Sequence, residues 1–173
     1  MAADEYLAFL PLLIYGIALA DLLGEWKRLF DIKNIFIPYI LFTAFLTEIA
    51  IYNVFIYLTL VSQLADFEYY QYLFSLIPPF LFMLTVNIFT PEKKESTKEY
   101  FLKNKPLIYI LLALFLSSHF LFNFDESTMT ITGRLIGVIA LVAMGFYKKK
   151  WTLYFPIIIW LILLWLRAST TVF

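Results

Sequence analysis

The chain has no cysteine, one histidine (His119) and five glycines in 173 residues. Without thiols there can be no disulfide, thiolate metal site, thiol redox chemistry or palmitoylation. A lone histidine with no cysteine is poor metal chemistry, so no metal and no cofactor is expected. No Gly-rich phosphate loop, His-Glu-x-x-His pair or nucleophile elbow occurs, and there is no long internal repeat. An enzymatic reading therefore lacks a motif to stand on, and the expectation is a protein that is not an enzyme. Charge is scarce as well: Asp, Glu, Lys and Arg make up 15% of the chain, against about 25% in soluble domains. The N-terminal Met1-Ala2-Ala3-Asp4-Glu5-Tyr6 carries no basic region of the signal-peptide kind, so the first apolar run is expected to enter the membrane uncleaved.

What is abundant is apolar. Hydrophobic residues make up 62% of the chain and aromatics 20%. A spanning helix needs about 20 apolar residues, and six such runs can be traced, leaving only short connectors. Each connector has one prevailing sign of charge, and the sign alternates. Lys27, Arg28 and Lys33 follow the first run, and Asp66 and Glu68 the second. Lys93, Lys94, Lys98, Lys103 and Lys105 follow the third, Asp125 and Glu126 the fourth, and Lys148, Lys149 and Lys150 the fifth. Eleven of the 13 Lys and Arg thus fall in connectors one, three and five; Arg134 and Arg167 are the other two. Short loops rich in Lys and Arg stay cytoplasmic. The fold expected is all-α: a multi-pass integral membrane protein, residues 1–173, with six transmembrane helices in one bundle and both termini outside the cytoplasm. Inner loops fall at about 25–34, 91–106 and 148–151, and a prokaryotic inner or plasma membrane is the expected location. The partners expected are the lipid bilayer and further copies of the chain, with a membrane or cytoplasmic protein as a further candidate; no nucleic acid is expected, because the basic loops are the ordinary orientation signal.

The spans are expected at about Tyr6–Gly24, Asn34–Gln63, Tyr69–Thr90, Leu107–Phe124, Ile131–Tyr147 and Leu153–Ala168. Pro38 marks a first turn or a kink of the second. Pro78-Pro79 removes two backbone donors near the centre of the third, which predicts a kink or break there. Thr90-Pro91-Glu92 resembles a helix start. A short interfacial, lysine-rich segment at 91–105, or an N-terminal extension of the fourth span, is expected to lie on the inner leaflet with its lysines solvated. Gly16, Ala20 and Gly24, and again Gly133 and Gly137, put small residues on one stripe, the pattern of close helix packing in lipid; self-association is expected.

Several polar groups fall inside apolar runs. Glu48 stands near the middle of the second span, with Tyr52 one turn on and Asn53 beside it. A carboxylate there must be protonated, paired or reached by water, and it reads either as a proton or cation relay or as a structural hydrogen-bonding group. Asp21 and Glu25 near the inner end of the first span form, with Arg28, an acid–acid–base stripe that either pairs with basic neighbours or draws cations in. His119 suits proton transfer or interhelical hydrogen bonding. Asn87 is an interhelical donor and acceptor, while Arg134 and Arg167 form an outer basic pair that either binds outer acids and headgroups or lines an anion vestibule. The function expected is a small channel or transporter for protons or a small cation, along a path including Glu48, Tyr52, Asn53, Asp21, His119 and Asn87. The alternative is a non-catalytic membrane subunit or sensor that binds a partner protein. A lipid-acting membrane enzyme ranks third.

Overall fold

The computed structural model describes residues 3–29, 35–64, 68–91, 96–121 and 128–170. Lys33, Asp66, Lys93, Lys94, Asp125 and Glu126 lie outside the described residues. The described chain is helical throughout, with no strand: α1 (Ala3–Leu29), α2 (Ile37–Leu64), α3 (Tyr69–Ser75), α4 (Ile77–Phe89), α5 (Thr97–Ser118), α6 (Thr128–Phe146) and α7 (Phe155–Thr170). Short 3₁₀ turns follow α5 (His119–Leu121) and precede α7 (Lys150–Leu153).

α3 and α4 form one rod. Leu76 between them stays in the right-handed helical region (φ −83°, ψ −16°), and its carbonyl still accepts the Phe80 N–H at 3.2 Å. The regular pattern is interrupted there because Pro78 and Pro79 have no N–H; at the start of α4 those donors would lack helical partners anyway. Glu68 begins this rod with a capping box, its own N–H donating to Gln71 Oε1 at 2.9 Å. Six helical units result, matching the six runs. Among the described residues, four stretches are long and apolar enough to cross a membrane: Leu7–Trp26, Ile37–Leu58, Tyr69–Phe89 and Thr97–Leu121. The last two units are shorter. α6 has 19 residues, of which Ile131–Phe146 are apolar, and α7 has 16.

Ring contacts fix the order of the rods. Tyr15 of α1 meets Tyr57 of α2 at 5.7 Å, while Glu25 further along α1 meets Tyr39 near the start of α2; the two helices are antiparallel. Tyr57 and Ser75, then Tyr39 and Phe89, do the same for α2 against α3 and α4. Phe82–Phe115 and Phe89–Phe101 reverse α5 against α4. Leu116 beside Gly137 and Tyr109 beside Gly145 reverse α6 against α5. α1 packs chiefly on α2 and α4, and α5 on α4 and α6, with α7 touching α2 more lightly. Among the described residues, Lys98, Lys103 and Lys148–Lys150 therefore lie at one end of the bundle and Glu68 at the other, here called the basic and acidic ends.

Aromatic rings fill the basic half. Tyr39 stacks on Phe89 with centroids 4.5 Å apart, and Phe42 lies 5.7 Å from Phe89, 5.4 Å from Phe101 and 5.9 Å from Tyr109. All five are buried, so α2, α4 and α5 are held by ring-on-ring contacts, each adding about 0.5–1.5 kcal/mol beyond the area buried. The outward surface is lined by Phe9, Leu13, Ile17, Phe55, Leu84, Leu114 and Ile139 among other exposed apolar side chains.

Two sequence expectations change. Thr90 does not open a helix; it closes α4, since its backbone is extended and its N–H and hydroxyl both donate to Val86 O at 3.0 Å. Pro91 then follows a helix end, where its missing donor is harmless. α5 begins at Thr97 with Ser96 as N-cap, so residues 97–104 are an N-terminal extension of the fourth span. Within that extension Lys98 and Lys103 are exposed, as expected, but Lys105 is buried. The stripe of Gly16, Ala20 and Gly24 faces out of the bundle, and a Cβ on either glycine would meet nothing within 4 Å. Gly133 is open in the same way, while Gly137 has Leu116 at 3.1 Å. The tight approach is at Gly145, where a Cβ would stand 3.0 Å from Tyr109 Cβ.

Candidate functional site

α2 presents two different surfaces. Tyr39, Phe42, Leu46, Ala50, Asn53 and Tyr57 are buried in the bundle. Phe45, Glu48 and Tyr52 lie on a second stripe at i, i+3 and i+7, and this stripe meets α7. The indole of Trp160 is 6.0 Å from the Phe45 ring and 5.9 Å from the Tyr52 ring, so it stands at the level of Glu48. Glu48 is half-buried and its Oε2 is fully enclosed; Trp160 Nε1–H is likewise enclosed and has no acceptor among the described residues. Glu48 also lies midway along α2 between Tyr39, which contacts Glu25 at the basic end, and Tyr57, which contacts Ser75 at the acidic end. Beside this seam is a cavity of about 120 Å³ with an apolar lining that includes Phe45, Ile49, Leu116, Gly137, Pro156 and Trp160.

The other candidate residues are not gathered on the seam. The Asn53 amide donates to Ile49 O of its own helix at 2.8 Å and is buried on the opposite surface. His119 lies in the 3₁₀ turn after α5, with Nδ1 2.9 Å from Phe115 O and its ring edge-on to Phe115 at 4.9 Å. Arg134 is half-buried on α6 with its guanidinium 5.7 Å from the Phe120 ring centre. Arg167 belongs to α7, and its side chain is outside the described residues. Asp21 and Asn87 are exposed on α1 and α4. They share a level: Asp21 is six residues past Tyr15 and Asn87 five past Phe82, and those two rings are 5.5 Å apart on parallel helices. Asp21 and Glu25 are separated, since Glu25 is buried and accepts the Tyr39 hydroxyl at 2.8 Å.

Two polar arrangements escape a reading of the sequence. At the basic end Lys105 Nζ donates to Tyr147 O at 2.8 Å and to Thr152 Oγ1 at 2.6 Å, and the Tyr109 hydroxyl donates to Thr152 O at 2.7 Å. A sequence signal existed: Tyr109 is one turn after Lys105, the spacing that lets an ammonium lie over a ring, here at 5.3 Å. At the acidic end the Tyr57 hydroxyl donates to Ser75 O, while the neighbouring Tyr15 hydroxyl is fully buried with no partner among the described residues. Among the described residues no cluster of three or more His, Asp or Glu could hold a metal ion. No protein-family model matches the chain, and no curated protein or solved structure matches it.

Proposed function

We propose that the chain is a six-span protein of a prokaryotic inner or plasma membrane, with its basic end in the cytoplasm, and that it passes protons or a small cation along the α2–α7 seam at Glu48. The observation that carries this reading is the position of one titratable carboxyl halfway between the two ends of the bundle, at the contact with its most lightly attached helix. An acid at that depth is functional by default, because an ionised carboxylate in hydrocarbon costs at least about 2.5 kcal/mol. Tyr52 and Trp160 beside it supply a hydroxyl and an indole N–H at the same level. The interruption at Leu76, ahead of Pro78 and Pro79, is read as the kink of the third span. The test is Glu48→Gln in proteoliposomes containing a pH-sensitive dye. Size and hydrogen bonding are kept and titration is removed, so flux or its pH dependence should vanish while assembly survives. Undiminished flux in the Gln variant would sink the relay.

A second reading, a membrane subunit that binds a partner or further copies of itself, is favoured by Asp21 and Asn87. Both are exposed within apolar spans at one level, beside the open stripe of Gly16, Ala20 and Gly24. A covering helix would remove both polar groups from lipid and allow close backbone approach. On this reading the protein alone shows no flux and extracts mildly as an assembly; a single 20.4 kDa chain would count against it.

A further inference from the structure

Lys105 is 5% exposed, and everything it touches is neutral: Tyr147 O, Thr152 Oγ1 and the Tyr109 ring. No carboxylate pairs with it among the described residues. Its bonds build a turn. Thr152, fully buried, donates from Oγ1 to Lys149 O at 2.6 Å and from its backbone N–H to the same carbonyl at 3.2 Å. Its own carbonyl is held by the Tyr109 hydroxyl. The 3₁₀ turn at Lys150–Leu153 is thereby fastened to α5, and Lys148, Lys149 and Lys150 stand exposed on it in succession. Lys148, Lys149 and Lys150 thus follow one another in water on the segment that Lys105, itself withdrawn from water, holds, and Lys105 has no carboxylate partner among the described residues. Such a field calls for an anion.

The surroundings say which anion. Phe146 (62% exposed), Tyr147 (47%) and Trp151 (50%) flank the lysines, and Trp151 packs loosely between Tyr147 at 6.2 Å and Phe155 at 6.5 Å. Free phosphate has no use for an apolar flank, whereas a phospholipid presents a phosphate with acyl chains attached. We propose that the turn 147–153 is a headgroup site for an anionic phospholipid, its phosphate held by Lys148, Lys149 and Lys150 with the Lys105 charge behind them, and Tyr147 and Trp151 lodged at the headgroup–acyl boundary. The inference rests on the membrane reading above, since the site needs this end of the bundle at a bilayer surface.

The experiment uses the full chain, purified in a neutral detergent, with lipids counted by native mass spectrometry and the unfolding midpoint followed as lipid is added. Phosphatidylglycerol should be retained and should raise the midpoint; phosphatidylcholine and inorganic phosphate should do neither. Neutralising lysines to Gln should weaken retention about fivefold each, roughly a hundredfold for all three. Thr152→Val keeps every charge but removes one of the two acceptors, Thr152 Oγ1 and Tyr147 O, that join Lys105 to the turn, and should lose most of the preference; Thr152→Ser should restore it. Unchanged preference in Thr152→Val would overturn the site in favour of diffuse charge attraction, equal retention of the two lipids would overturn it outright, and an equal effect of inorganic phosphate would overturn the lipid assignment. Flotation with phosphatidylcholine vesicles separates the two levels: a chain that does not float has lost the membrane reading, whereas one that floats without lipid preference has lost only this site.

Discussion

Gly145→Ala set against Gly133→Ala isolates the packing of α6 on α5. Both glycines lie in α6, so both substitutions carry the same helix-propensity gain, about 1 kcal/mol. They differ in what the new methyl meets. At Gly133 there is nothing within 4 Å; at Gly145 the Cβ would stand 3.0 Å from Tyr109 Cβ and 3.6 Å from Pro106 Cα and O. Tyr109 cannot easily yield, because its hydroxyl is tied to Thr152 O and its ring rests on Phe42. Overpacking of this kind costs about 1–3 kcal/mol. At roughly 2–4 °C per kcal/mol for a chain of this size, a difference near 2 kcal/mol should separate the unfolding midpoints by about 4–8 °C, with Gly145→Ala the lower. Tryptophan fluorescence in a mild detergent, scanned for both variants under one set of conditions, gives the comparison. Coincident midpoints would mean that α6 does not approach α5 as described.

The two buried tyrosines at the acidic end should respond oppositely to loss of the hydroxyl: Tyr57→Phe abandons the Ser75 carbonyl and should destabilise by about 1–2 kcal/mol, whereas Tyr15→Phe removes a partnerless buried group and should be neutral or stabilising in the same unfolding scan. Because the chain has no cysteine, single substitutions can report orientation directly. Lys149→Cys should resist a membrane-impermeant maleimide in intact cells and Glu68→Cys should react; the reverse pattern would invert the proposed topology. Asn87→Leu together with Asp21→Leu should leave the folded protomer intact, because both residues are exposed, but should reduce its self-association in cross-linking.

The alternation of Lys-rich and acidic connectors made the reversal of successive rods legible, since one prevailing charge sign at each end of a bundle requires it. The apolar runs likewise marked the helices to within a few residues at most ends. What stayed hidden was the rotation of each helix about its axis. In water a polar face marks the outside, but in a chain with apolar residues on both faces that contrast disappears. Gly16, Ala20 and Gly24 could therefore be recognised as a stripe but not assigned a direction, and Gly145, which packs against Tyr109, has no small partner four residues away to draw notice. Lys105 was illegible for a related reason. It stands in a run of solvated lysines, and only the return of the chain more than 40 residues later encloses it. For the candidate site, Glu48 and Tyr52 could be paired from helical spacing alone. Trp160 could not, because its apposition depends on how α7 lies against α2.

The sequence separation in the Lys105–Thr152 bond gives it a history as well as a geometry. The partners are 47 residues apart, so at ordinary synthesis rates roughly 2–9 s pass between the making of the lysine and of the threonine that will hold it. Throughout that interval, on the proposed orientation, Lys105 is one more exposed positive charge at the cytoplasmic surface, helping to keep the third connector inside while α5 inserts. Only when the last hairpin arrives is the charge taken out of water and turned into a clasp. On that orientation the same side chain acts first as an address and later as a fastening, and a variant such as Lys105→Met would trade both at once: weaker retention of the connector during insertion, and a turn before α7 no longer tied to α5 by the ammonium afterwards.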